Sequence, residues 1–396
     1  MTPAARVQAA IEVLDIVIAA ARDNGAPADR LVSEWFKTRR FAGSGDRRAV
    51  RELVYAAIRT CGETPASGRA AMLLLARDDA TLAALFDGSR HAPAPVTPGE
   101  PVAAPGIAPA WLEAALAASG IAGEEAMALL SRAPLDIRVN LLKADVATLA
   151  LPVEAEPTGA RQGLRLPFGT QVEQWDAYQA GQIEVQDAGS QLTCEVVAAA
   201  PGETVIDLCA GAGGKTLALA AAMANRGRLI ASDTDRARLS RLPPRAQRAG
   251  ATIVETLLLD TGREAEAVAS SLGDPNGADA VLVDAPCSGT GTWRRNPEGR
   301  WRLTAAQLAR YVGLQARLLD LAARLVRPGG RLIYVTCSLL DAEGAEQIAA
   351  FLARSPGWSA TRAALPAGRP RGDGLRLTPF HDATDGFFVA RLDRLC

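Results

Sequence analysis

The chain has 396 residues, enough for two or three domains that each bury a core, and its composition, 48% hydrophobic and 22% charged, is that of a globular protein. Its 43 basic side chains nearly cancel its 44 acidic ones, for a net charge of −1, so any nucleic-acid binding must come from local patches and not from a global field. No stretch reaches the roughly 20 apolar residues of a membrane span, Asp15 breaks the early run Val13 to Ala21, and the N-terminus carries no secretion signal, so a cytoplasmic protein is expected.

In chain order, residues 1–90 read as an all-helical domain. Val7, Ala10, Ile11, Leu14, Ile18 and Ala21 recur at the three-and-four spacing of one helix face, as do Val50, Leu53, Val54, Ala57 and Ile58. Asp46, after Gly43-Ser44-Gly45, is placed to cap the second helix. Lys37, Arg39, Arg40, Arg47, Arg48 and Arg51 form a basic cluster, either a solvated helix face or an RNA-contacting patch. Residues 91–110, with six prolines, read as a partly extended linker. Residues 111–184 read as a small α+β module: helices near Trp111–Ser119 and Glu124–Arg132, a strand from Asp136, then short strands between Gly and Pro turns.

From 185 to 396 strands alternate with helices. The strands expected are Thr204–Asp207, Arg228–Ser232, Thr252–Leu259, Ala280–Val283 and Arg331–Thr336; between them lie helices over Lys215–Ala224, Ala305–Val326 and Ala342–Ala353. This alternation predicts an α/β fold with a mostly parallel, doubly wound, Rossmann-like sheet. A last antiparallel pair, Leu375–Thr378 and Phe387–Leu392, would close its edge.

The first βα turn, Asp207-Leu-Cys-Ala-Gly-Ala-Gly-Gly-Lys-Thr216, has the glycines that let a backbone approach a ligand at a helix start. A phosphate-wrapping Walker A loop fails because Cys209 stands where its first glycine belongs. Asp233, about 20 residues on, sits where a carboxylate accepts both ribose hydroxyls and repels a 2′-phosphate, disfavouring NADP. Asp260 ends the next strand, where an acidic side chain meets an adenine amino group.

Six cysteines are scattered without a Cys-x-x-Cys pair, and only His91 and His381 accompany them, so no metal site is expected. Cys61, Cys194 and Cys396 read as small buried apolar residues. Cys287 and Cys337 differ: each follows a core strand, in Asp284-Ala-Pro-Cys-Ser-Gly-Thr-Gly291 and in Val335-Thr-Cys-Ser338. If those strands are neighbours, the two thiols rise side by side at the carboxyl edge, where doubly wound sheets bind ligands. Paired thiols suit carbon-5 pyrimidine chemistry, because a thiolate adding to carbon 6 makes carbon 5 nucleophilic. Asp284 could stabilise the charge that develops on the ring.

These motifs, with Val185-Gln-Asp187, Arg294-Arg-Asn-Pro297 and Asp385-Gly-Phe-Phe388, resemble the Sun-type RNA cytosine-5 methyltransferases over roughly residues 131–393. The resemblance implies a class I methyltransferase domain using S-adenosyl-L-methionine, with RNA, foremost 16S rRNA, as substrate, and a monomer without metal. It implies Cys337 as nucleophile, Cys287 as the group that assists release, and Asp284 beside them. It implies a cofactor site of Cys209, Ala210, Gly211, Ala212, Gly213, Gly214, Lys215, Asp233, Asp260 and Asp284. The segments Ser44-Gly-Asp-Arg-Arg48 and Glu52-Leu-Val-Tyr55 resemble the antiterminator-type RNA-binding domain of the family's bacterial small-subunit rRNA enzymes, in shortened form. Gly211-Ala212 replaces an Ala-Pro, Pro243-Pro244 interrupts an expected helix, and Glu343-Gly344 replaces a Glu-Asn. A DNA cytosine-5 methyltransferase, in which the Pro-Cys thiol of Cys287 attacks, and a non-catalytic ribosome-assembly factor are the alternatives. Arg138, Lys143, Arg294, Arg295, Arg300 and Arg302 are expected phosphate partners, and Trp293 and Trp301 either stack on RNA or are buried.

Overall fold

Apolar stripes at helical spacing build the N-terminal part of the computed structural model, which describes residues 1–23, 25–273 and 276–396. Four helices, α1 (Pro3–Arg22), α2 (Ala28–Lys37), α3 (Ser44–Thr60) and α4 (Gly68–Ala76), bury one core. The α1 stripe is wholly buried, as are Val50, Val54, Ala57 and Ile58 of α3, with Leu53 half-buried. Asp46 lies one turn inside α3, not before it, and its carboxylate accepts the Gly43 N–H at 3.3 Å. That satisfies one orphan donor of the helix start from the third helical position.

Chain contacts divide the structure into two units, 1–132 with 292–305, and 133–291 with 306–396. The expected boundaries differ from this division in two places. Helices Ala110–Ala118 and Gly123–Ala128 belong with the first unit, and so does the segment 292–305 that the sequence reading left inside the α/β part. The linker 91–110 is held down along its length: Glu100 pairs with Arg69, the Ala103 N–H donates to the Ala70 carbonyl at 3.1 Å, and Pro105 bridges to Cys61.

Segment 292–305 closes two helix ends of the first unit. Arg300, fully buried, donates to the carbonyls of Ile58 (2.6 Å) and Cys61 (2.8 Å), the unpaired acceptors at the C-terminal end of α3. Arg302 donates to the carbonyls of Gly25 (2.8 Å) and Ala26 (2.7 Å), and Glu298 Oε1 accepts the Ala28 N–H at 2.9 Å where α2 begins. Cations at a helix C-terminus and an anion at an N-terminus both match the helix dipole. Trp301 joins the same core.

The second unit holds two sheets. Strands β1 (Leu135–Val139), β2 (Glu156–Pro157), β3 (Gly163–Leu166) and β4 (Ile183–Val185) form a small antiparallel sheet in the order β2-β3-β1-β4. The large sheet contains β5 (Thr204–Asp207), β6 (Arg228–Asp233), β7 (Val254–Leu258), β8 (Ala278–Asp284), β9 (Val326–Thr336), β10 (Trp358–Thr361), β11 (Arg369–Arg371), β12 (Gly374–Leu377) and β13 (Phe387–Arg394). Its order is β11-β12-β13-β9-β8-β5-β6-β7, with β10 also on β13. Strands β5 to β9 pair in parallel and β13 runs antiparallel to β9, so the edge closes as the sequence predicted. The β8 segment is apolar almost throughout because helices cover both faces of a parallel sheet. The chain winds from β5 out to β7, then returns to place β8 on the other side of β5. That reversal opens a crevice at the carboxyl ends of β5 and β8. The fold is the expected doubly wound, Rossmann-like α/β sheet. Among the described residues, no helix is long and apolar enough to cross a membrane.

Candidate active site

The reaction end is made by the ends of four adjacent strands. Asp207 ends β5, Asp233 ends β6, Asp284 ends β8, and Cys337 follows β9. Because Asp284 pairs with Val335 across the β8–β9 ladder, the turns after both strands leave the sheet at the same height. Cys287 Sγ and Cys337 Sγ stand 3.3 Å apart, in contact and well beyond the ~2.05 Å of a disulfide. Both are half-buried. The Cys287 thiol is pushed well above its usual range, first by its hydrogen bond to Cys337 and then by burial.

One carboxylate ties the two cysteine turns together. Glu343, fully buried, accepts the Ser288 N–H (2.9 Å), Gln315 Nε2 (3.0 Å), Ser338 Oγ (2.6 Å) and the Ser288 hydroxyl. Ser288 and Ser338 directly follow the two cysteines, so Glu343 fixes both backbones from behind. Gln315 adds a bond to the Pro286 carbonyl at 2.9 Å. Sequence reasoning noted Glu343 only as half of an altered pair; its position five residues after the Thr-Cys-Ser turn is the one local signal. Gly344 beside it has a physical reason: a Cβ there would lie 2.8 Å from Phe388 Cγ. Gly291 and Gly386 cross so closely that a Cβ on Gly291 would sit 2.1 Å from the Gly386 carbonyl oxygen, which seats the Asp385–Phe388 segment against the Cys287 turn.

The glycine turn follows β5. Gly213 adopts φ +83°, with Leu242 filling the space a side chain would need. The Gly211 N–H donates to Asp233 Oδ2 and the Asp235 N–H to Oδ1, each at 2.8 Å, leaving each oxygen a further lone pair. Lys215 and Thr216 do not face a phosphate. Lys215 Nζ donates to Asp284 Oδ2 at 2.7 Å, and Thr216 Oγ1 to Asp207 Oδ2 at 2.7 Å, which closes the Walker reading. Burial alone would lower the Lys215 pKa, but Asp284 outweighs it and holds the ammonium above its usual range. Burial pushes Asp207 up to about 7, against the Thr216 hydrogen bond. Burial, with Asp207, Asp233 and Asp284 nearby, likewise raises Cys209.

A cleft of about 310 Å³ runs along these ends, lined at one side by Cys209, Asp233 and Leu259 and at the other by Asp284, Cys287 and Cys337. Of the predicted cofactor residues, Cys209, Asp233 and Asp284 line it. Ala210 to Lys215 and the exposed Asp260 are not among its lining residues. Prolines 243 and 244 fall in the first turn of the helix Leu242–Ala249, where proline is tolerated, and split the expected helix from Arg236–Leu239. The expected phosphate partners fare poorly. Arg138, Arg294 and Arg300 are buried, Arg302 is spent on carbonyls, and Lys143 donates to the Ala180 and Arg248 carbonyls. Trp293 and Trp301 are buried too. Cys61 and Cys194 are buried as expected, whereas Cys396 is exposed. No cluster of metal-ligating side chains occurs among the described residues.

Known proteins are similar to this chain in sequence and fold. Ribosomal RNA small subunit methyltransferase B of Xylella fastidiosa is 37% identical over 72% of this chain and 66% of its own length; this chain thus spans about two thirds of that relative. The crystal structure of PH0851 superposes with a TM-score of 0.78 at 28% identity, covering 100% of this chain and 99% of that one. A methyltransferase homolog protein from Pyrococcus horikoshii gives a TM-score of 0.60 at 27% identity, over 72% of this chain and 99% of its own. Residues 194–393, more than half of the chain and nearly all of the large sheet, match the family described as 16S rRNA methyltransferase RsmB/F, and the protein belongs to that family.

Proposed function

We propose that the protein transfers a methyl group from S-adenosyl-L-methionine to carbon 5 of a cytosine in RNA, 16S rRNA first, through a covalent adduct to Cys337. The observation that carries this reading is the thiol pair, 3.3 Å apart, opening into the cleft that Asp233 and Asp284 also line. The cleft fits the methyl donor by its chemistry. Asp233 retains lone pairs for two ribose hydroxyls, and Leu259, Leu314 and Leu318 give an apolar slot for a purine, with exposed Asp260 next to Leu259 for its amino group. The glycine turn lets the backbone of Cys209 to Gly214 come close, and Lys215 holds Asp284 from behind. When bound, S-adenosyl-L-methionine supplies an electrophilic methyl group on a sulfonium.

The protein's own groups then divide the work. The hydrogen bond to Cys337 and burial both hold Cys287 in its thiol form, and attack is assigned to Cys337 by the resemblance of its Thr-Cys motif to that of the Sun-type enzymes. The Cys337 thiolate bonds to carbon 6 of the cytosine, and carbon 5 gains the electron pair with which it takes the methyl group. Lys215 and Asp284, as a hydrogen-bonded pair, are placed to share a proton with the ring and offset its developing charge. A base removes the carbon-5 proton, the sulfur–carbon bond breaks, and Cys287, a thiol at this pH, is the proton source beside the departing sulfur. The target base has to leave its stack to reach the thiols.

The test is incubation with labelled cofactor and RNA, followed by denaturing electrophoresis. A Cys287→Ala variant should accumulate a covalent protein–RNA adduct and Cys337→Ala should form none. The reverse pattern would sink the assignment and favour Pro-Cys attack. Bisulfite sequencing of total RNA with and without the protein locates the nucleotide.

A further inference from the structure

A second cleft in the α/β unit, about 530 Å³, is separate from the active site; it is lined by the helices Ala188–Val197 and Gly214–Ala222 and by the segment after β10. Four arginines line it, Arg138, Arg161, Arg362 and Arg391, against a single carboxylate, Glu195. Arg391 is neutralised by Asp393, and Arg161 meets Glu195 only at 3.7 Å with its side chain 84% exposed. Arg362 is exposed, and among the described residues its side chain has no ion-pair or hydrogen-bond partner.

Arg138 is the unusual group. It is 3% exposed, yet its one polar contact is Nε to Gln186 Oε1 at 2.7 Å, and among the described residues no carboxylate lies within ion-pair distance of it. The carboxylate opposite it in the β1–β4 ladder, Glu184, is already taken by Arg245 (3.0 Å) and Arg248 (2.5 Å). A buried guanidinium without an anion is costly, and burial accordingly lowers its pKa. Gln191 lines the same cleft, 2% exposed; its Nε2 is used on two backbone carbonyls while its Oε1 has no donor. A cation lacking an anion therefore stands by an acceptor lacking a donor.

We propose that this cleft binds a ribose-phosphate unit, its phosphate between Arg138 and Arg362 and a sugar hydroxyl donating to Gln191 Oε1. Guanidinium groups suit phosphate geometry, and a hydroxyl is the donor that a sugar-phosphate carries beside its charge. The unit belongs either to the RNA backbone or to a free nucleotide. The first source rests on the RNA methyltransferase reading; the site itself does not.

The full chain is titrated with ribose 5-phosphate and with inorganic phosphate by calorimetry. Wild type should bind ribose 5-phosphate more tightly than phosphate. Arg161→Ala/Arg362→Ala, a rim variant with no buried contact removed, should weaken ribose 5-phosphate binding at least tenfold and leave binding of the methyl donor unchanged. Arg138→Lys, checked for an unaltered melting curve, should weaken it similarly. Competition by an oligoribonucleotide lacking cytosine assigns the site to the RNA backbone, and failure to compete assigns it to a free nucleotide. No ribose 5-phosphate binding at millimolar concentration, or unchanged affinity in the rim variant, overturns the proposal. None of these readouts needs methyl transfer, so loss of the proposed activity and loss of this site are separate results.

Discussion

Asp207 shows how much a single side chain carries at the base of the site. It has no exposed surface; Oδ2 accepts from Thr216 at 2.7 Å, while Oδ1 is buried with no partner. An ionised carboxylate with an empty oxygen in such a place is costly, and its pKa rises to about 7. An acid whose folded value lies above its unfolded one holds its proton longer in the fold. Its stabilising effect is complete below about pH 4 and is lost as pH rises through 7, a change of about 3 kcal/mol at most between pH 5 and 8. Asp207→Asn cannot titrate. Urea denaturation of both proteins at pH 5 and pH 8 should show wild type losing ground to the variant as pH rises; a constant difference would place the Asp207 pKa near its ordinary value. Asp207, Asp233 and Asp284 were legible in the sequence because each ends an apolar run. Glu343 was not, since its partners Ser288, Gln315 and Ser338 come from three segments that only the folded chain brings together.

At the scale of elements, β5, β6, β7 and β8 and the helices Gly214–Ala222 and Ala305–Leu325 fall within two residues of what periodicity predicts. By contrast, β9 begins five residues before the expected Arg331, and the helix Ala188–Val197 and the strands β10 and β11 were not foreseen. Apolar runs of parallel-strand length alternating with amphipathic helices admit few other folds. That same logic placed β8 beside β9 and so brought Cys287 to Cys337. Segment 292–305 escaped it. Its tryptophans and arginines look like an exposed, nucleic-acid-facing loop, and no local pattern says that Arg300 closes the carbonyl end of a helix 240 residues earlier in the chain. Burial drives the Arg300 pKa down to about 10, yet its guanidinium serves the carbonyls of Ile58 and Cys61, the latter shared with Trp301 Nε1 at 3.3 Å. Arg300→Gln should therefore lower stability by about 3 kcal/mol, because it removes a buried cation and strands acceptors that cost roughly 1–3 kcal/mol each when unpaired. The urea midpoint of the purified variant measures this, and a change under about 0.5 kcal/mol would mean the carbonyls find other donors.

For the whole molecule, a net charge of −1 means that RNA, under the proposed activity, is held by arrangement and not by bulk attraction. Of the arginines expected to meet phosphate, Arg294 and Arg300 are buried in the helical unit and Arg138 is buried at the second cleft, which leaves the basic cluster of α2 and α3 as the exposed alternative. There Arg39 packs over the Trp35 ring at 3.8 Å and Arg47 donates to the Ala42 carbonyl, so those two are partly structural. Arg48 and Arg51 are exposed on α3, and among the described residues neither side chain has an ion-pair or hydrogen-bond partner. If this face meets the RNA backbone, Arg48→Ala/Arg51→Ala should flatten the slope of log affinity against log salt by about 1 per arginine. The control is an equal loss of charge at Arg226 and Arg324, exposed in the other unit. Filter binding of a 16S rRNA fragment across 50 to 200 mM salt should separate the two pairs. Equal slopes for both would mean the cluster is a solvated helix face, and that contact with RNA is made elsewhere.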